Sequence, residues 1–323
     1  MPLSKGNVLV PSRKRGASTS LNPRRKLKVP YLFIFLCMLP WILGFILFTA
    51  YPVAASFYES FTKFNLVESP KWIGLENFHR MFFDDPDFWK AIKNTLWISV
   101  ISIPLRIAFA TFTAWILTKP TRGMKFYRTL FFLPAMVPTV AATLSFTYIF
   151  NPAYGTINSI LESIGIKNPP FWFMDPHWSK WGLILLGLWG IGDTMIIYLA
   201  GLLDVPKSLY EAASLEGANS WQEFRYVTMP LITPVIFFSA VTGIIGSFQY
   251  FTQAYVASGQ VRDYSHSMYF YATHIYTEAF RAYEMGYASA LAWVLLVITL
   301  LCTLVMLSTQ KRWVHYPNGS LFK

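Results

Sequence analysis

Residues 31–52 read YLFIFLCMLPWILGFILFTAYP, twenty-two residues without one charged side chain. A hydrocarbon layer about 30 Å thick offers no water to backbone N–H and C=O groups. A chain therefore crosses it as a helix of about 20 apolar residues that satisfies those groups internally. Five further stretches meet the same demand: 95–117, 130–150, 181–202, 231–251 and 287–308. The expectation is an all-α integral membrane protein with about six transmembrane helices.

Working outward, the whole chain is poor in charge, at 13% of 323 residues against about 25% in soluble domains. Six spans place both termini on one side. The segments 1–30, 119–128, 204–229 and the C-terminus hold 17 Lys and Arg, whereas the opposite loops hold nine. The basic side is expected to be cytoplasmic, and with it the N- and C-termini. A net charge of +11 concentrated beside an anionic leaflet needs no nucleic-acid partner to account for it.

This gives four regions: a basic cytoplasmic tail, 1–30; the first helix with an extracytoplasmic loop, 31–94; a core of five helices, 95–310; and a cytoplasmic C-terminal tail, 311–323. The first apolar run is too long and too far from the start for a signal-peptide core, so it reads as an uncleaved span. Cys37 and Cys302 lie in apolar stretches with no ligand spacing and read as small core residues.

Of the outer loops, 53–94 reads as a small cap of short helices, with Asp84, Asp85 and Asp87 ahead of the helix that enters span two. In 151–180, Trp172, Trp178 and Trp181 suit an aromatic belt at the membrane interface. In 252–286, the spacing of Phe270, His274, Tyr276 and Phe280 suits an amphipathic helix at the outer surface.

Residues 204–229, DVPKSLYEAASLEGANSWQEFRYVTM, form a cytoplasmic link too polar to span. Ser208 with Glu211 and Ser220 with Glu223 fit capping boxes, Pro206 being the alternative start of the first helix. Gly217 and Asn219 fall where the chain must reverse. Leu209, Ala212, Ala213 and Leu215 on one helix, and Trp221, Phe224 and Val227 on the other, would present an apolar knob between spans four and five.

This link resembles the signature of the binding-protein-dependent ABC permeases: an EAA triplet, a Gly six residues after its Glu, and a hydrophobe-Pro pair. Here these are Glu211-Ala212-Ala213, Gly217 and Met229-Pro230, with Glu216 and Met229 standing where the family commonly has Asp and Leu. YESFTKFNL, WIGLENF, DPDFWKAIKNTL and GYASALAW resemble the carbohydrate-uptake branch, similar to maltose-type and oligosaccharide permeases, and the likeness covers roughly residues 30–315. It implies a multi-pass protein of the bacterial inner membrane that works with a second homologous permease, two ATPase subunits and an extracytoplasmic solute-binding protein. It implies that Glu211, Ala212, Ala213, Glu216 and Gly217 couple the ATPase to the membrane helices. ATP and Mg would be used by the ATPase partners, and this chain would bind no cofactor.

The chain has no phosphate-cradling G-x-x-x-x-G-K-[ST] loop and no H-E-x-x-H or G-x-S-x-G motif, and its histidines (His79, His177, His266, His274, His315) form no catalytic constellation. It is expected not to be an enzyme. An ion-coupled secondary transporter is the rival class, and would show internal repeats, broken paired helices and intramembrane carboxylates. A scaffold without transport, or a permease for amino acids, peptides or metals, are the others.

Arg106 and Asp193 are the ionisable residues inside the expected spans, where each costs about 2.5–3.5 kcal/mol on insertion scales. They could pair with each other across spans two and four, or face a solute. By resemblance to maltose-type permeases, solute-contacting positions fall at Gly190, Asp193, Gly243, Ser247 and Tyr250, with helix packing the plainer role for Gly190 and Gly243. A uronic-acid oligomer would find Arg106 useful if that residue faces the pathway.

Overall fold

The computed structural model describes residues 31–119, 121–261 and 266–315; the basic tail 1–30 and residues 316–323 of the C-terminal tail lie outside them. Two compact units divide between Val53 and Ala54. The described part of the first unit is the start of α1 (Tyr31–Glu59), and none of its residues is buried.

The second unit continues through a two-stranded ribbon, β1 (Thr62–Lys63) and β2 (Lys71–Trp72), paired antiparallel, and a short α2 (Glu76–His79). The loop expected to fold as short helices is thus a ribbon with one short helix and a π-turn at Arg80–Asp84. The ribbon is held by Asn77, whose amide donates to Ser60 O and Thr62 O at 2.9 and 3.0 Å. Gly286 N–H donates to Phe64 O at 3.1 Å, and a Cβ there would meet Thr62 O at 2.0 Å, so only glycine allows this approach.

Next come α3 (Pro86–Thr118), α4 (Met124–Met136), α5 (Thr139–Ile149), α6 (Thr156–Ser163), α7 (Ser179–Trp189), α8 (Gly192–Leu203), α9 (Lys207–Leu215), α10 (Ser220–Leu231), α11 (Thr233–Phe248), α12 (Thr252–Val261), α13 (Tyr271–Phe280) and α14 (Met285–Trp313). Helices α1, α3 and α14 are each long and apolar enough to cross a membrane unbroken. The pairs α4/α5, α7/α8 and α10/α11 qualify only as bent spans, at 95°, 50° and 63°.

The bends have local causes. Val137 precedes Pro138 and is extended, as a residue before proline tends to be. Pro230 and Pro234 flank the α10/α11 break, each without an N–H to donate. The α7/α8 break falls at Gly190 and Ile191, and Gly192 just beyond it lies so close to α4 that a Cβ would come within 2.9 Å of Phe132 Cα.

Helix α3 is the centre of the packing, touching α7, α8, α11 and α13. Its middle, at Ile98, joins a cluster with Phe150, Trp172, Phe173, Leu183 and Phe270. Its C-terminal part, at Ala110, Ala114 and Leu117, meets Met195, Tyr198, Leu202 and Ile232. Its first turn, at Phe88, meets Met81, Tyr271, Tyr287 and Leu291.

Two expectations about aromatics are corrected here. Trp172 is buried rather than a membrane anchor, because its indole N–H donates to Asn158 Oδ1 at 2.7 Å and its ring lies edge-on to Phe150; Trp178 and Trp181 stay exposed. Phe270 precedes α13 instead of riding on it, and α13 is packed against α14 and α3, with Tyr271 and His274 buried.

Candidate functional site

The link 204–229 folds as a helical hairpin. Helix α9 begins at Lys207 after Pro206, with no side-chain cap, so Ser208 is not its N-cap. Its C-terminus is a Schellman motif: Ala218 N–H bonds Ala213 O and Gly217 N–H bonds Ser214 O, both at 3.0 Å, with Gly217 at φ +84°. The second cap lies one residue before the expected one. Asn219, extended rather than reversing, accepts from Trp221 N and Gln222 N, and the Gln222 side chain accepts from Asn219 N. Asn caps at least as well as Ser, so it prevails where the two adjoin.

The hairpin is rooted on the C-terminal end of α3. Phe224 packs on Trp115 with ring centroids 4.9 Å apart, and Tyr210 OH lies 2.9 Å from Thr228 Oγ1. Val227 and Met229 pack on the cluster of Ala110, Tyr198 and Ile232. Beyond this root, nothing among the described residues covers the tip. Glu211, Ala212, Glu216 and Gly217 are exposed, Ala213 is half-buried, and Leu215 is 90% and Trp221 61% exposed.

Helices α3, α7, α8 and α11 enclose a cavity of about 360 Å³. Gly243, Ser247 and Tyr250 line it, together with Ser102, Thr242, Gln249 and Arg106. A Cβ at Gly243 would stand 3.3 Å from Ile103 Cγ2, so this glycine also brings α11 close to α3. Ser247 Oγ lies 2.7 Å from Ser99 Oγ and 2.8 Å from Ile244 O, which ties the two helices with a hydroxyl that already has partners. Tyr250 sets its ring edge-on to Phe270. Gly190 and Asp193 flank the α7/α8 break and are absent from the cavity wall, where Thr194 takes part instead. Of the two roles open to Arg106 and Asp193, pairing with each other is not seen: no ion pair joins them, and both residues are exposed.

At the other end of α3 lies a polar node that the sequence reading missed. Asp85 Oδ1 caps α3 by accepting from Asp87 N and Phe88 N, while Oδ2 accepts from Tyr287 OH at 2.5 Å and lies 2.9 Å from His274 Nε2. His274, 1% exposed in its side chain, has Tyr269 OH at 2.9 Å from Nδ1. A carboxylate only accepts, so Nε2 carries the proton toward Asp85 and Nδ1 accepts from Tyr269: a neutral imidazole satisfies every partner. Burial pushes His274 down from its ordinary value, against the pull of Asp85. Burial would raise Asp85, but the Tyr287 hydrogen bond, His274 and the two N–H groups outweigh it and hold the carboxyl below its usual value. Beside the node Arg80 pairs with Glu284 and with Glu278 and lies 4.2 Å from the centre of the Tyr287 ring. The sequence signal was the Asp-Pro start of α3; its partners lie about 200 residues away.

Among the described residues no group of three or more His, Cys, Asp or Glu could hold a metal ion. Long and bent apolar helices around a polar cavity, with an uncovered hairpin beyond them, define a helical membrane permease. Residues 106–313 match the family described as "Binding-protein-dependent transport system inner membrane component", and the chain belongs to it.

Among its relatives, the probable ABC transporter permease protein YesP of Bacillus subtilis (strain 168) is 42% identical over 86% of this chain and 90% of its own length. The arabinooligosaccharides transport system permease protein AraP of the same organism is 31% identical over 87% and 88%. The fold is similar to that of a chain in the crystal structure of a bacterial ABC transporter involved in the import of the acidic polysaccharide alginate, with TM-score 0.77, 23% identity, and 87% of this chain and 96% of that one covered.

Proposed function

We propose that this chain is one of two permease subunits of an ATP-driven, binding-protein-dependent importer that moves an oligosaccharide across the bacterial inner membrane. It has six spans and cytoplasmic termini: α1, α3 and α14 unbroken, α4/α5 and α7/α8 bent, and α11, which turns by 63° from the second helix of the hairpin. Two ATPase subunits dock from the cytoplasm, and a solute-binding protein delivers the sugar from outside. In this proposal 1–30 and 311–323 are cytoplasmic tails, 31–94 is the first span with its extracytoplasmic loop, and 95–310 is the five-helix core. The oligosaccharide choice rests on the names of relatives, AraP above all, and on a cavity wall that mixes hydroxyls, amides and an aromatic ring, as a pyranose requires.

The observation that carries the reading is the uncovered tip of a firmly rooted hairpin. An apolar side chain exposed as fully as Leu215, beside Glu211, on a hairpin held by Trp115, Phe224, Tyr210 and Thr228, suits a knob that enters a groove of another subunit. In this proposal Glu211, Ala212, Ala213, Glu216 and Gly217 meet the ATPase, and its closure is carried through the root into α3. Gly243, Ser247 and Tyr250 face the solute, with Gly190 and Asp193 at the adjoining break of α7 and α8.

The test is sugar-stimulated ATPase activity of the chain reconstituted with the permease, ATPase and binding protein encoded beside it. Glu211→Lys is expected to abolish stimulation at normal membrane insertion. Undiminished stimulation in that variant would mean that this hairpin does not couple.

A further inference from the structure

Within the oligosaccharide reading, on which this inference rests, the wall of the cavity carries a specificity of its own. Its wall holds hydroxyl and amide side chains, including Ser102, Thr242, Gln249 and Gln253, and a single charged residue, Arg106. No Asp or Glu lines it, and no acidic side chain pairs with Arg106 among the described residues. The one carboxylate on a neighbouring span, Asp193, lies outside the wall.

A guanidinium stays charged at any physiological pH. Within an apolar span it is costly, and it is found there where it faces a polar cavity or meets an anion. Arg106 is exposed and lines the cavity. The planar fork of Arg matches a carboxylate with two parallel hydrogen bonds. The neighbouring hydroxyls and amides match the sugar hydroxyls around that carboxylate.

We infer that the importer's solute is an acidic oligosaccharide, one bearing uronic-type carboxylates, and that Arg106 is the residue that recognises the carboxylate inside the membrane. A neutral sugar of the same size fills the cavity but leaves the guanidinium unpaired. The acidic form is therefore favoured at the translocation step, apart from any preference of the binding protein.

The experiment uses the complete transporter in proteoliposomes and matched pairs of oligosaccharides: oligogalacturonate and oligomannuronate, each beside its carboxyl-reduced, neutral form. The readout is the ratio of acidic to neutral uptake within a pair, which does not depend on how much protein inserts. Wild type is expected to favour the acidic member. Arg106→Gln should collapse that ratio about tenfold or more, and Arg106→Lys, which keeps the charge but loses the fork, should fall between. A wild-type preference for the neutral member of every pair, or a ratio unchanged in Arg106→Gln, overturns the inference. An arabinooligosaccharide is assayed beside them: its uptake with none of any acidic member overturns the inference alone, and uptake of none of these sugars counts against the oligosaccharide reading as well.

Discussion

Asp85 shows how much one side chain can hold. Its two oxygens accept from two backbone N–H groups, a phenol and an imidazole on three separate elements. Asp85→Ala removes a helix cap and leaves His274 and Tyr287 without an acceptor, so it should cost about 2–4 kcal/mol, measured as thermal unfolding of the purified transporter in detergent. Asp85→Asn should cost less, because it keeps an acceptor oxygen. The pH dependence has a definite sign. His274 resists protonation when folded and accepts a proton more readily when unfolded, so its contribution is complete above the ordinary histidine value of about 6.5 and is lost as pH falls below it. Asp85, held below its usual value, gives up its share only in stronger acid. His274→Gln should flatten the loss of thermal stability between about pH 6.5 and 5; an unaltered slope would assign that loss to other groups. The acidic approach to α3 was legible from Asp84, Asp85 and Asp87, but nothing local in the sequence points from Asp85 to His274. A contact spanning 189 positions leaves no periodicity to read.

Among the elements, helices and their rough ends followed from apolar length, and the hairpin followed from its polarity and its Gly. What did not follow was continuity. A hydropathy window averages over a break, so 130–150 and 181–202 read as single spans although each is bent by 50° or more, and 231–251 gives no sign of the 63° turn at its start. Pro138, Pro230 and Pro234 were visible as residues, yet proline also sits inside the unbroken α1 and α3, at Pro40 and Pro104. The deciding factor is what packs beside the break. Gly192 has space only for a hydrogen against Phe132 and Ala135. Gly192→Val should force α4 and α8 apart and lower stability by about 1–3 kcal/mol, read as a drop in melting temperature at unchanged topology. In the hairpin, Gly217→Val places a β-branched residue at φ +84° and should loosen the Schellman turn by about 1–2 kcal/mol. Faster hydrogen exchange at position 217 and at Ala218, with the root near Thr228 still protected, is the expected pattern. Uniform loss of protection would show that tip and root are not independent.

For the molecule as a whole, broken helices were the mark assigned to an ion-coupled transporter, and three bent pairs are present. They do not decide the class, because the chain belongs to the binding-protein-dependent permeases. Helix α3, about 50 Å long at 1.5 Å per residue, has the Asp85 node at one end, the cavity wall midway and the hairpin root at the other. Motion of the hairpin can thus reach the cavity through one rigid element. The node also has a consequence for biosynthesis. The ribbon and the start of α3 are completed by Gly286, Glu284, Tyr287 and His274, which leave the ribosome about 200 residues later. At about 5–20 residues per second that is a delay of roughly 10–40 s, during which the ribbon and the start of α3 stand open, their acceptors bonded to water, until α13 and the start of α14 have been made.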